Sequence, residues 1–155
     1  MAIQIGDQCP QFNLPDQHNQ LIDILQFIGQ KNLVIYFYPK DDTPGCTKEA
    51  CSFRDQFDVF NSFECEVIGI SSDSPKKHLE FATKYNLRFT LLADTDKSVR
   101  KAFGVPSNLF GLLPGRVTYI IDKKGVVQGI YNSQTDPLGH IDKAIETLKN
   151  LDEKV

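Results

Sequence analysis

The sequence predicts an α/β domain: a central mixed sheet, parallel in its middle and antiparallel at one edge, flanked by helices. Three observations predict it. Uncharged runs at Leu33–Tyr38 and Val67–Ile70 suit strands buried on both faces. Segments with apolar residues three and four apart alternate with these runs, as crossover helices of a parallel sheet do. Late in the chain, two short β-favouring runs flank Asp122-Lys-Lys-Gly125, a hairpin signal with Gly late in the turn. At 155 residues the chain is long enough for one full core and short of two, so residues 1–155 are read as a single domain.

Phe12 and Leu14 precede Pro15-Asp16, and Leu21, Ile22 and Ile24 follow a polar link, so a small hairpin is expected ahead of the main sheet. Leu25 to Gly29 suits one turn of helix. Pro39 ends the strand Leu33–Tyr38. Thr43-Pro44 then reads as an N-cap followed by Pro at the first helical position. Ala50, Phe53, Phe57 and Phe60 carry one apolar face of a helix expected from Pro44 to Phe63. After the strand Val67–Ile70, Ser74-Pro75 opens a helix with Leu79, Ala82 and Tyr85 expected inward. A short strand at Phe89–Leu92 and a short helix Ser98–Phe103 stopped by Gly104 follow. The hairpin strands are Val117–Ile121 and Val126–Tyr131. The last helix runs from His140 to Leu151 with Ile141, Ala144, Ile145 and Leu148 inward.

This order places Cys46 in the first turn of a helix, where unpaired N–H groups and the positive end of the dipole favour a thiolate, the nucleophilic form of cysteine. Gly45 beside it permits close approach to the backbone. A lone cysteine in a helix start is ordinarily inert packing; here a cap, a Pro, a Gly and a second cysteine coincide. That second cysteine, Cys51, lies five residues on. Five residues of helix rise about 7.5 Å and turn about 140°. The two Cα atoms are then roughly 8–9 Å apart, beyond the ~7 Å reach of a disulfide. Either the two never pair, or the first turns unwind.

Pro39-x-x-x-Thr43-x-x-Cys46 resembles the active-site signature of peroxiredoxins, thiol peroxidases without metal or haem. The longer string Thr43-Pro-Gly-Cys-Thr-Lys-Glu-Ala-Cys51 is similar to their PrxQ, or bacterioferritin comigratory protein, group, and the likeness runs from Phe12-Asn-Leu-Pro-Asp16 to the last helix. The resemblance implies a thioredoxin-like fold with an N-terminal hairpin added. It implies that Cys46 attacks hydrogen peroxide or an organic hydroperoxide, that Cys51 resolves the product as a Cys46–Cys51 disulfide, and that thioredoxin or a similar dithiol reopens it. It further assigns Thr43 to orienting the peroxide and Pro39 to shielding the sulfur. Arg116, in Leu112-Leu-Pro-Gly-Arg116, matches the cation that keeps the sulfur ionised. Arg54, eight residues from Cys46, is the weaker candidate for that cation.

The remaining composition narrows the field. A net charge of -3 with no basic tract leaves no electrostatic footprint for nucleic acid. No apolar stretch approaches a membrane span, and the start of the chain lacks the pattern of a secretory signal. Four cysteines suit a reducing compartment with redox chemistry, so the cytoplasm is expected, or an organelle if a transit peptide has been removed. His18, His78 and His140 lack metal-ligand spacing to any cysteine, and no cofactor or metal is expected. Cys65 reads as packing, and Cys9 has no role in the motif. With no cysteine after Cys65, resolution falls to Cys51 or an external thiol. An internal resolving cysteine needs no partner subunit, so a monomer is expected. Two other classes stay open. One is a thioredoxin-type oxidoreductase, disfavoured because four residues separate Cys46 from Cys51 where that chemistry uses Cys-x-x-Cys. The other is a non-enzymatic redox sensor.

Overall fold

Strand β3, Asn32–Phe37, is buried along its whole length and sits at the centre of a five-stranded sheet. The computed structural model describes residues 2–108 and 113–153. On one side β3 pairs in parallel with β4 (Cys65–Ser71), which pairs in parallel with β5 (Thr90–Ala93). On the other it pairs antiparallel with β8 (Val117–Ile121), which forms the hairpin with β9 (Val127–Asn132). The hairpin turn holds Gly125 at φ +82°, where glycine is strain-free. Two short antiparallel pairs lie outside this sheet: β1 (Asn13–Pro15) with β2 (Leu21–Asp23), and β6 (Ser107–Asn108) with β7 (Leu113–Pro114). The expected N-terminal hairpin is therefore present; the second pair was not expected. A 3-10 turn at Ile24–Gln26 overlaps the single helical turn expected at Leu25 to Gly29.

Alternate residues of β3, with Tyr38 just beyond it, serve two cores. Val34, Tyr36 and Tyr38 pack with Ala50 and Phe53 of α1 (Pro44–Asp55), Phe60 of α2 (Phe57–Ser62), Phe81 and Ala82 of α3 (Pro75–Tyr85), and Ile141, Ala144 and Leu148 of α5 (Pro137–Glu153). Leu33, Ile35 and Phe37 pack on the opposite face with Ile24, Tyr119, and Val99 and Phe103 of α4 (Ser98–Phe103). The fold class expected from sequence is the one observed.

Three helix expectations need correction. The helix expected from Pro44 to Phe63 is two, broken at Gln56, and the break carries both Phe53 and Phe60 into one core with ring centroids 5.5 Å apart. No Gly or Pro marks that break. In α3 Ala82 is buried and Tyr85 packs against the core as expected, but Leu79 is exposed and His78 and Phe81 take the inward positions instead, because Phe81 is the larger apolar group. Helix α5 starts three residues early, with Pro137 in its first turn.

The topology positions the site. Phe37 at the end of β3 pairs with Val117 at the start of β8, so the Pro39 turn and Arg116 emerge side by side. Leu112, at the head of the expected Arg116 loop, lies outside the described residues.

Candidate active site

Cys46 occupies the first turn of α1 and is 1% exposed. Arg116, itself buried, donates from Nη2 to Cys46 Sγ at 3.4 Å and from Nη1 to Glu49 Oε1 at 2.6 Å. Its Nε donates to the Gln134 carbonyl at 3.4 Å. One planar guanidinium thus bridges the sulfur and a carboxyl one helical turn beyond it. Gly45 eases this approach, since a Cβ there would stand 3.0 Å from Arg116 Nη2 and the guanidinium would have to give way.

Thr43 is the N-cap residue of α1 by position, yet its hydroxyl accepts no helix N–H bond. It donates to the Lys40 carbonyl at 3.0 Å. That uses its only proton and leaves oxygen lone pairs to accept from an incoming O–H. Pro39 is half-buried at the turn between β3 and α1. Cys51 is half-buried in the same helix as Cys46, and all four cysteines are free thiols. Cys46, Arg116 and Thr43 are therefore gathered around the start of α1, while Cys51 stands off on the intact helix. Arg54 is not part of the cluster: it pairs with Asp55 and donates to the Tyr85 carbonyl. Cys9 and Cys65 are buried, and burial disfavours the thiolate at both, pushing the Cys9 thiol up to about 12 and raising that of Cys65.

Electrostatics around the sulfur rest on groups the sequence reading passed over. Burial pushes Glu49 up to about 8, with Arg116 pulling the other way. Burial works against the Arg116 charge, but Glu49 and Cys46 more than restore it, leaving its pKa raised. His140 of α5 is fully buried and held down to about 4, chiefly by burial. Its Nδ1 lies 2.7 Å from Thr118 Oγ1 and 3.7 Å from Glu49 Oε2. Glu49 was findable: it follows Cys46 by three residues and shares a helix face with Ala50 and Phe53, a charged residue on an apolar face. His140 carries no local signal, because α5 brings it in from almost a hundred residues away.

Arg100 is a second buried arginine, donating to the carbonyls of Tyr38 and Gly115 at 3.2 Å each. It ties together the backbone preceding Pro39 and the backbone preceding Arg116. A further buried set holds the Pro39–Thr43 loop. Tyr38 Oη donates to Asp41 Oδ1 at 2.5 Å, and Asp41 Oδ2 lies 2.6 Å from His78 Nδ1. Asp73 Oδ2 accepts from the Asp41 N–H at 2.8 Å. Asp41, Asp73 and His78 have ligand atoms close enough for a metal ion, but their hydrogen bonds to one another and to Tyr38, Ser71 and Leu92 already use those atoms.

The arrangement offers a buried sulfur, a fixed cation on it, a hydroxyl at the cap position of the same helix and a second thiol further along that helix. Known proteins resemble this chain in sequence and fold. The profile of the AhpC/TSA family matches residues 5–130. Chloroplastic peroxiredoxin Q of Populus jackii is 52% identical over 146 residues, covering 94% of this chain and 68% of that protein. The peroxiredoxin Q of Sedum lineare is likewise 52% identical, covering 94% of this chain and 78% of that protein. Among solved structures, the peroxidoxin BcpB of Mycobacterium tuberculosis superposes with a TM-score of 0.89 at 35% identity, over 96% of this chain and 97% of that one. A Xanthomonas campestris bacterioferritin comigratory protein, described for its alkyl peroxide reduction activity, gives 0.82 at 30% identity over 90% of each chain.

Proposed function

Since this chain belongs to the AhpC/TSA family and is a thiol-dependent peroxidase of the peroxiredoxin Q group, we propose that Cys46 is its peroxidatic sulfur and Cys51 its resolving thiol. The observation that carries this reading is the Arg116 Nη2 contact to Cys46 Sγ at 3.4 Å inside a buried helix start. The Cys46 thiolate attacks the nearer peroxide oxygen, the O–O bond breaks, and Cys46 becomes a sulfenic acid. The leaving hydroxide or alkoxide takes a proton and departs as water or an alcohol. Arg116 and the N–H groups of the α1 start stabilise the negative charge that moves onto the leaving oxygen. Thr43 accepts the hydrogen bond of the incoming hydroperoxide. Pro39 covers the sulfur from bulk water.

The Cys51 thiol then displaces water from the sulfenic acid, forming the Cys46–Cys51 disulfide once the first turns of α1 have unwound. A dithiol reductant, of which thioredoxin is the expected example, reduces it by thiol–disulfide exchange and is itself oxidised. Hydrogen peroxide and organic hydroperoxides are the proposed substrates. The cycle closes within one chain, in keeping with a monomer. No helix among the described residues is long and apolar enough to cross a membrane. The Populus and Sedum relatives are named chloroplastic and are longer than this chain, so a plastid is a proposed compartment alongside the cytoplasm.

The test is a pair of variants. Cys46→Ser abolishes peroxide reduction. Cys51→Ser consumes about one peroxide per chain, leaves Cys46 as sulfenic acid, and loses turnover with thioredoxin. Full thioredoxin-driven turnover by Cys51→Ser would refute the resolving role.

A further inference from the structure

Strands β3 and β8 separate where the site begins. Phe37–Val117 is the last pair of their ladder. Beyond it Tyr38 still donates its N–H to the Ile70 carbonyl of β4 at 3.1 Å, and the Arg116 carbonyl still accepts from the Ser133 N–H just past β9 at 3.3 Å. Each chain keeps its outer neighbour and loses its inner one, so the sheet splits here. The two segments leaving the split carry the reacting groups. Tyr38 leads through Pro39 to Thr43 and Cys46, and Gly115 leads to Arg116. Both Tyr38 and Gly115 are buried, and a buried carbonyl without a ladder partner needs another donor.

Arg100 is that donor for both. Its Nη2 donates to the Tyr38 carbonyl and its Nη1 to the Gly115 carbonyl, each at 3.2 Å, so one planar group spans the split. Its own place is fixed from three sides. Asp94, just after β5, accepts from the N–H groups of Val99 at 3.1 Å and Arg100 at 2.8 Å, which anchors the first turn of α4. The Phe37 ring lies 5.7 Å from the guanidinium carbon. Gly115 has no room for a side chain, because the Pro106 carbonyl fills the place of its Cβ, so backbone lies directly on backbone there. Arg100 is 6% exposed, and among the described residues no carboxylate bonds to its guanidinium. A buried cation held by carbonyls alone is costly, which speaks for a role beyond packing.

We propose that Arg100 is a positioning residue of the peroxidase step, a role that rests on Cys46 being the peroxidatic sulfur: by bridging Tyr38 and Gly115 it sets the width of the split, and thereby the reach of Arg116 to Cys46. Arg116 meets the sulfur through Nη2 alone, at 3.4 Å. A widening of the split by about 1 Å takes that donor away from the sulfur, and a misplacement of this size can cost about a hundredfold in rate. Arg100 makes no bond to the sulfur itself, so its effect runs through the two backbone segments.

The test is the rate constant of Cys46 oxidation when reduced protein is mixed rapidly with hydrogen peroxide and quenched for intact mass. Arg100→Lys keeps the buried charge and loses the fork, and it is expected to slow oxidation about tenfold. The decisive reading is a double-mutant cycle with Arg116→Lys. Once Arg116 has lost its own fork, Arg100→Lys is expected to change the rate by less than about twofold, because the contact it guards is already gone. Arg100→Gln, which can keep one carbonyl bonded, runs the same cycle if Arg100→Lys does not fold. A wild-type rate in Arg100→Lys overturns the proposal, and so do effects of the two replacements that simply multiply. A residue serving stability alone would lower the urea midpoint and leave the rate constant of the folded variant unchanged, which also overturns it. Peroxide that leaves Cys46 untouched in the wild type is a separate result: it fails the peroxidase assignment, and the proposal with it.

Discussion

Arg116 gives Cys46 both a charge and a directed hydrogen bond, from a fork whose other arm is fixed on Glu49. A lysine offers the charge without the fork. Arg116→Lys is therefore expected to slow Cys46 oxidation by about a hundredfold, in the range seen when one donor to a developing anion is lost. Rapid-mixing kinetics with one equivalent of peroxide measures it; a rate within twofold of wild type would remove Arg116 from the chemistry. Gly45 makes a subtler case. Its replacement by Ala puts a methyl 3.0 Å from Arg116 Nη2, and that guanidinium is pinned at three points. Gly45→Ala should lower the oxidation rate while leaving the denaturation midpoint nearly unchanged. Cys46 and Thr43 stood out in the sequence through the Pro39-x-x-x-Thr43-x-x-Cys46 spacing, and Arg116 only through the resemblance of its Pro-Gly-Arg stretch to the family's. The direction of the Thr43 hydroxyl was not legible: its bond to the Lys40 carbonyl depends on how the loop turns, and Asp42 in that loop adopts φ +57°.

Among the elements, α1 must be both a precise frame and a breakable one. Ala50 and Phe53 anchor it in the core, at 1% and 0% exposure. Its first turn is held by Arg116 through Cys46 and Glu49. Bringing Cys51 to Cys46 requires that turn to open, which releases Glu49 from Arg116. Oxidation to the disulfide should reduce helical far-UV signal and speed amide exchange at residues 46–51, while the β3 amides stay protected. Hydrogen exchange on reduced and oxidised protein checks this; equal protection of those residues in both states would contradict it. Arg100 clamps the neighbouring backbone, so Arg100→Met, which leaves the Tyr38 and Gly115 carbonyls unpaired, is expected to cost about 2–3 kcal/mol of stability in urea titration. Strands and the hairpin were readable because β-favouring runs and Asp122-Lys-Lys-Gly125 are local signals. The break at Gln56 and the inward placing of His78 and Phe81 in α3 were not, since each is decided by which aromatic side chain the distant core accepts.

Across the whole molecule, Glu49 and His140 oppose one another in the pH dependence of folding. An unfolded histidine binds its proton near pH ~6.5, whereas folded His140 holds out to about 4. The unfolded state takes up that proton first, so this contribution to stability is present above ~6.5 and lost as the pH falls towards 4. An unfolded glutamate releases its proton near ~4.3, but folded Glu49 does so at about 8. That contribution is present at low pH and lost as the pH rises from ~4.3 to about 8. Between pH 6.5 and 4 the two partly cancel in the wild type. Glu49→Gln removes one side of the balance, so its stability should fall more steeply with acid than that of the wild type. Parallel urea titrations at pH 4, 5, 6 and 7 read the difference, and identical slopes would show that Glu49 is not a buried acid. Overall topology was legible because a parallel core and an antiparallel hairpin each leave a pattern in the chain. The Cys46–Arg116–Glu49–His140 line was only partly so, because it is assembled from β8, α1 and α5 by tertiary packing alone.

Every proposed role at this site depends on Cys46 reacting with peroxide and on Cys51 closing the product within the same chain. The most direct test mixes reduced protein with one equivalent of hydrogen peroxide and follows it by intact mass and peptide mapping. The chain is expected to lose two hydrogens and to carry a bridge mapped to Cys46 and Cys51, with Cys9 and Cys65 still free. Unchanged thiols after minutes of exposure, or a bridge that leaves Cys46 out, would contradict it.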